Sequence, residues 1–253
     1  MTGRFCKNFI AALFWVLVWA IAAWAVDSPL LLPGPLSVFR RLLEMGKTAS
    51  FWVTAGKTLL RILAGILCAV PAGILLAVAT CRFSLFSILV SPLLTVIKST
   101  PVASFILLLL IWLGRDLLPG AIVFLMVLPI VWSNVSAGVE NTNRELLEMA
   151  KIYRLTPVST LRNIYLPSVM PYFLAACRSA LGLGWKAGVA AEVLSVPKPS
   201  IGQMLYESKL YLETTDLFAW TVVVILCSLL IEKPIVSALE TLSHRYNTGG
   251  DCP

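Results

Sequence analysis

Runs of about twenty apolar residues recur six times along the chain, with short polar segments between them. A bilayer core about 30 Å thick takes about 20 helical residues to cross. The candidate spans are about 9–26, 59–80, 88–113, 117–138, 169–194 and 217–238. Composition agrees: of 253 residues, 58% are hydrophobic and 13% charged, against about 45–50% and 25% in soluble domains. Mean hydropathy is +0.88. Lipid is the solvent for most of this chain, which excludes a soluble enzyme, a disordered chain and a nucleic-acid module.

The net charge of +7 does not change that reading, because the basic residues are scattered between apolar runs and form no stripe or arm. Six cysteines show no paired spacing and read as small hydrophobes. A single histidine, His244, removes multi-histidine metal chemistry. The first span follows Arg4 and Lys7 but exceeds a signal-peptide core in length, so it reads as a retained helix.

Gly65, Ala69, Gly73 and Ala77 form a small-residue stripe at four-residue spacing, suited to close approach by another helix. Pro71 beside it is expected to bend the span. Only Gly114 to Asp116 separate spans three and four, which predicts a tight helical hairpin. Outside the spans, Leu36, Phe39, Leu42 and Leu43 oppose Arg40, Arg41 and Glu44, the pattern of an interfacial amphipathic helix. A second excursion covers 197–216. Counting Lys and Arg on either side does not orient the chain: with a cytoplasmic N-terminus, nine fall inside and eight outside.

Two short matches are chance. Gly56-Lys57-Thr58 lacks the glycine-rich loop of a phosphate site, and the 182–188 glycines fail dinucleotide spacing within an apolar helix. Charges within spans are more informative, since each costs about 2.5–3.5 kcal/mol at mid-bilayer. Arg178 and Glu192 lie near enough to the boundaries to snorkel. Lys98 and Lys186 lie deeper, where an anionic solute and structural pairing are both open readings.

The densest polar stretch is 139–168, with seven of the 33 charged residues. Glu145 to Tyr153 predicts a helix with Leu146, Met149 and Tyr153 on one side. Thr156 then caps a second helix with Pro157 in its first turn, and Pro167 and Pro171 mark its end and the return to the membrane. Such an apolar face in water calls for a protein partner or for packing on its own loop.

This stretch resembles the EAA loop of ABC-importer permeases, which reads E-A-A, a glycine four residues on, then I-x-L-P. Glu148 stands at the Glu, Met149 and Ala150 at the alanines, and Ile164, Leu166 and Pro167 at the I-x-L-P end. The family glycine falls on Arg154, a departure that puts the turn geometry in question. The resemblance covers about residues 30–235. LPGPLSVFRRLLEM, ALGLGWKAGVAAEVL and YLETTDLFAW are similar to blocks of the nitrate/sulfonate/taurine type, in the same order.

The resemblance implies an all-α membrane protein with six transmembrane helices of the type I ABC-importer permease fold. Residues 1–58 would hold the first helix and the interfacial segment, 59–240 the permease core with its coupling loop at 139–168, and 241–253 a cytoplasmic tail. Glu145, Glu148, Met149, Ala150, Lys151, Tyr153, Arg154, Ile164, Leu166 and Pro167 would dock a dimer of ATPase subunits. Lys98, Trp185, Lys186 and Glu192 are candidates for the translocation pathway. No catalytic constellation, metal site or cofactor is expected in this chain, with ATP-Mg bound by the partner. Further partners would be an extracytoplasmic solute-binding protein, a second permease copy and membrane lipid, but no nucleic acid. The protein would sit in the inner (plasma) membrane with both termini cytoplasmic and carry a small, anionic solute such as a sulfonate, taurine or nitrate. The alternative from another class is a stand-alone secondary transporter or channel, which predicts intramembrane carboxylates and symmetry between halves. An intramembrane hydrolase would need a facing nucleophile and base, which the motifs do not supply.

Overall fold

In the computed structural model, backbone is described for residues 2–247, and side chains for 10, 11, 13–237 and 241. Arg4, Lys7, His244 and most of the expected 241–253 tail lie outside the described side chains. In chain order the helices are α1 (Thr2–Val26), α2 (Pro35–Gly46), α3 (Ala49–Arg82), α4 (Ser84–Ser99) and α5 (Val102–Glu140). They continue as α6 (Arg144–Ile152), α7 (Pro157–Thr160), a π-helical turn (Leu161–Tyr165), α8 (Leu166–Ser195), α9 (Ile201–Leu210) and α10 (Thr214–Asn247). Among the described residues, Ala49–Arg82, Val102–Glu140 and Thr214–Ser237 are long and apolar enough to cross a membrane. Five of the six expected spans fall within single helices, with different boundaries, and the third does not.

The third span, expected as one helix over 88–113, is broken. Pro101 has no N–H to donate, and its ring drives Thr100 into an extended conformation (φ −79°, ψ 133°), so α4 stops there. The expected hairpin is present in shape. Gly114 (φ 68°, ψ 175°) interrupts α5 with a conformation that suits glycine alone. Val102 and Met126 then line one cavity, whereas a straight helix would hold them about 36 Å apart. The chain therefore reverses at Gly114.

Close packing of α3, the second half of α5 and α8 forms the centre. The small-residue stripe of α3 works as the spacing predicts. A Cβ on Gly65 would fall 2.6 Å from the Gly120 carbonyl oxygen, and one on Gly73 2.8 Å from the Val131 Cβ. The register rises on both helices together, so they run parallel. On α8, Gly184 faces Ile66 and Val127, and Gly188 faces Ile62 and Val123, an antiparallel order. Those valines and isoleucines form the main core, with Trp185 and Leu181 added from α8. α3 runs through Pro71 as one helix, and Gly56, Lys57 and Thr58 sit within it.

The helix before the fifth span does not end at Pro167. It continues through the π turn, where the Leu166 N–H reaches the Leu161 carbonyl, into α8 with Pro167 in its first turn and Pro171 inside. A wider turn accommodates a proline that cannot donate without ending the helix.

At one end of the bundle, α2 is the expected amphipathic helix, opened by Pro35. Val38 and Met45 pack inward beside Ile201 and Trp220, while Leu36, Phe39 and Leu43 stay exposed. Trp19 of α1 stacks on Phe218 at 5.8 Å, which ties the first helix to α10.

Candidate functional site

The loop after α5 is built from local hydrogen bonds. The Asn143 side chain accepts from the Glu145 N–H at 2.8 Å and caps α6. At the other end the Leu155 N–H donates to the Ala150 carbonyl (2.9 Å) and the Arg154 N–H to that of Lys151 (3.1 Å). This pair of bonds is a Schellman motif, which places its C′ residue in the left-handed region. Arg154 occupies that position with φ 51°. The turn is thus the one a glycine would make, formed here by arginine. Thr156 then accepts from the Ser159 N–H and caps the next helix, as expected, with Pro157 following.

This scaffold sorts the side chains. Ala150 and Ile164 turn inward, each 5% exposed. Glu145, Glu148, Lys151 and Arg154 are exposed, and so are Met149, Tyr153 and Leu166; Pro167 is half-buried. The most exposed apolar residues here include Ile152 (78%) and Val158 (74%), beside Tyr153 (73%). Sequence reasoning missed Ile152 and Val158. The signal was available, since Ile152 lies three residues past Met149 on the same helical side.

A second site lies among α4, α5 and α8. Lys98 and Lys186 line one cavity of about 390 Å³. Ile97, Val102, Met126, Pro129, Ile130 and Leu183 make most of its other walls, and none of the described residues lining it is a carboxylate. The Lys98 ammonium sits 5.7 Å from the centre of the Trp132 ring, a cation–π contact. Both lysines thus share one cavity with mostly apolar neighbours.

Trp185 and Glu192 are elsewhere. Trp185 is 4% exposed in the main core, where its indole N–H donates to the Val224 carbonyl at 3.2 Å. Glu192 does not snorkel; it is fully buried. Its Oε2 accepts from the Thr58 hydroxyl at 2.8 Å and the Gly202 N–H at 3.3 Å, and Arg61 Nη1 lies 3.5 Å from Oε1. Burial excludes the water that snorkelling requires, and the charge finds protein partners instead.

The 27–58 and 197–216 excursions meet at one end of the bundle. Arg41 grips Asp216 with two parallel bonds, Nε to Oδ1 at 2.6 Å and Nη2 to Oδ2 at 2.7 Å. That bond holds the Arg41 guanidinium well above its ordinary pKa. The Thr214 hydroxyl donates to the Leu30 carbonyl at 2.6 Å. A cleft of about 680 Å³, lined by Arg41, Glu44, Lys198 and Gln203 among others, opens between the two excursions.

Comparison with known proteins agrees with this architecture. The taurine transport system permease protein TauC of Escherichia coli (strain K12) is 25% identical over 220 residues, 85% of this chain and 80% of that protein. The putative aliphatic sulfonates transport permease protein SsuC of the same organism is 31% identical over 156 residues, 60% of this chain and 57% of that protein. Among solved structures, a bacterial ABC transporter involved in the import of the acidic polysaccharide alginate matches with a TM-score of 0.62 at 16% identity, over 96% of this chain and 95% of the other. The MetNI methionine ABC transporter in an inward-facing conformation matches with a TM-score of 0.52 at 18% identity, over 74% and 93%. At those identities the structures establish the fold alone. The profile of one family, described as the binding-protein-dependent transport system inner membrane component, matches residues 69–246 and so takes in both the helical loop and the dibasic cavity. The chain belongs to that family, and is a membrane-spanning permease subunit of an ATP-driven importer.

Proposed function

We propose that the 139–168 loop is the cytoplasmic coupling element that docks this permease on a dimer of ATPase subunits. The observation that carries this reading is the exposed apolar surface of Met149, Ile152, Tyr153 and Val158, held outside the bundle by a capped helix and its Schellman turn. Glu145, Glu148, Lys151 and Arg154 give that surface a charged rim, while Ala150, Ile164, Leu166 and Pro167 hold its backbone. ATP with its magnesium is bound by the partner; this chain transmits the movement. Residues 59–240 form the permease core, and 1–58 add the first crossing and the interfacial helix. Four crossings before the loop put the N-terminus in the cytoplasm, and six put the C-terminus there as well.

The pathway runs past Lys98 and Lys186, and the solute is a small molecule with an anionic group, of the taurine, sulfonate or nitrate kind named for the relatives. Trp185 and Glu192 serve it from behind, by bracing α8. The cavity is half of a pathway completed by a second copy about a two-fold axis. An extracytoplasmic solute-binding protein docks where α2 and the 197–216 excursion meet. The coupling assignment is tested with Glu148→Arg. The variant should reach the membrane normally and lose at least tenfold of the co-purifying ATPase or of coupled hydrolysis. Unchanged transport and coupled ATPase activity would show that the loop is not the docking element.

A further inference from the structure

A hydrogen-bonded cluster with a fully buried centre joins the 197–216 excursion to the central helices. Thr58 of α3 is the hinge of this cluster. Its hydroxyl donates to Glu192 Oε2 (2.8 Å) and accepts from the Ile201 N–H (2.9 Å). Glu192 Oε2 also takes the Gly202 N–H, so two of the unpaired N–H groups that open α9 end on one α3–α8 pair. A carboxylate at a helix N-terminus is further favoured by the helix dipole. Arg61, one turn along α3 from Thr58, donates to the Pro199 carbonyl at 2.9 Å and to Asp116 Oδ1 at 3.1 Å, and faces Glu192 Oε1 at 3.5 Å. Gly202 lies so close to Glu192 that no Cβ fits between them.

The consequence is mechanical. Thr58 and Glu192 are fully buried, as is Ser200, which caps the third N–H of α9 by accepting from Gln203. α9 cannot tilt without breaking buried hydrogen bonds to α3 and α8 together. A buried acceptor or donor left unpaired costs more than a surface one. Glu192 is six residues beyond Lys186 on the same helix, about 9 Å along its axis. Any push on α9 therefore arrives at the helix that carries the cavity lysine.

We infer that Thr58 and Glu192 are positioning residues that make the 197–216 excursion and the α3–α8 pair one rigid lever, through which docking of the binding protein at the excursion reaches the pathway and the ATPase. This rests on the proposed docking of a binding protein at that excursion. The test is a reconstituted complex of permease, ATPase and a solute-binding protein that binds the permease, carrying Thr58→Val or Glu192→Gln. Thr58→Val cuts the link between Glu192 and the Ile201 N–H, and Glu192→Gln removes the charge opposite Arg61.

For Thr58→Val, basal ATPase activity and the concentration of binding protein giving half-maximal stimulation should stay within twofold of the wild type. Maximal stimulation should fall at least fivefold, and Thr58→Ser, which keeps the hydroxyl, should restore it. Full stimulation in both variants overturns the lever while leaving the docking reading intact. Equal loss of basal and stimulated activity, unrescued by Thr58→Ser, also overturns it, because the cluster would then only hold the fold together. A wild-type complex that the binding protein does not stimulate removes the docking reading and the lever with it.

Discussion

Arg154 illustrates how a side chain and its backbone can point in different directions. Its sequence is not that of a turn, yet a left-handed conformation at φ 51° closes the Schellman motif after α6. That conformation costs a non-glycine residue about 1–2 kcal/mol. Arg154→Gly should therefore stabilise the isolated permease by up to about 1 kcal/mol, after the extra entropy of glycine in the unfolded chain is deducted. Arg154→Val should destabilise it by more, because β-branched residues resist positive φ. Thermal unfolding in detergent orders the three proteins, and a glycine variant that melts below the wild type would mean the arginine contributes more than its strain costs. The sequence marked the turn only through the family glycine that Arg154 replaces, and left its geometry open, because that geometry is set by the hydrogen bonds of Ala150 and Lys151 and not by the residue at its apex. The caps at Asn143 and Thr156 act locally; Thr156 with Pro157 was legible from order alone, whereas Asn143 passed unremarked.

At the scale of elements, the α3 stripe makes the clearest comparison of one substitution in two settings. A Cβ on Gly73 would press on the Cβ and Cγ1 of Val131 and on the Leu128 carbonyl, all backbone-near atoms that cannot swing aside. Gly56 belongs to the same helix and has nothing within 4 Å. Gly73→Ala should cost about 1–3 kcal/mol as α3 and α5 separate, and Gly56→Ala should be neutral or stabilise by up to about 1 kcal/mol. The same thermal measurement decides it, and equal effects at both positions would contradict the packing. Four-residue spacing of small residues made this contact legible. The break at Thr100 was not, although Lys98, Ser99, Thr100 and Pro101 interrupt the apolar run there, because hydropathy averages them with their apolar neighbours and does not register a missing N–H. At Pro167 the error ran the other way: the proline was read as a helix end, when a π turn carries the helix through.

At the scale of the whole molecule, three of the in-span charges divide into two groups that the sequence lists without distinction. Glu192 is enclosed by Thr58, Arg61 and Gly202, contributed by segments far apart in the chain, so only the fold reveals its partners. Lys98 and Lys186 line one cavity in which no described lining residue is a carboxylate. Each ammonium costs about 2.5–3.5 kcal/mol at mid-bilayer on insertion scales, and the face of Trp132 returns only about 0.5–2 kcal/mol of that for Lys98. An anion passing between them would gain from both charges in a medium of low dielectric, and it would leave again because neither lysine holds it with a fixed fork of donors. Lys98→Met and Lys186→Met keep most of the apolar stem and remove the charge. Each should slow uptake of a sulfonate several-fold in vesicles holding the assembled transporter, and the double variant at least tenfold, with the ATPase still bound. Lys186→Glu should abolish uptake of anions, because it sets a carboxylate against the solute. If the double methionine variant transports at the wild-type rate and with unchanged preference among anions, the two lysines are structural and the pathway lies on another face of α8.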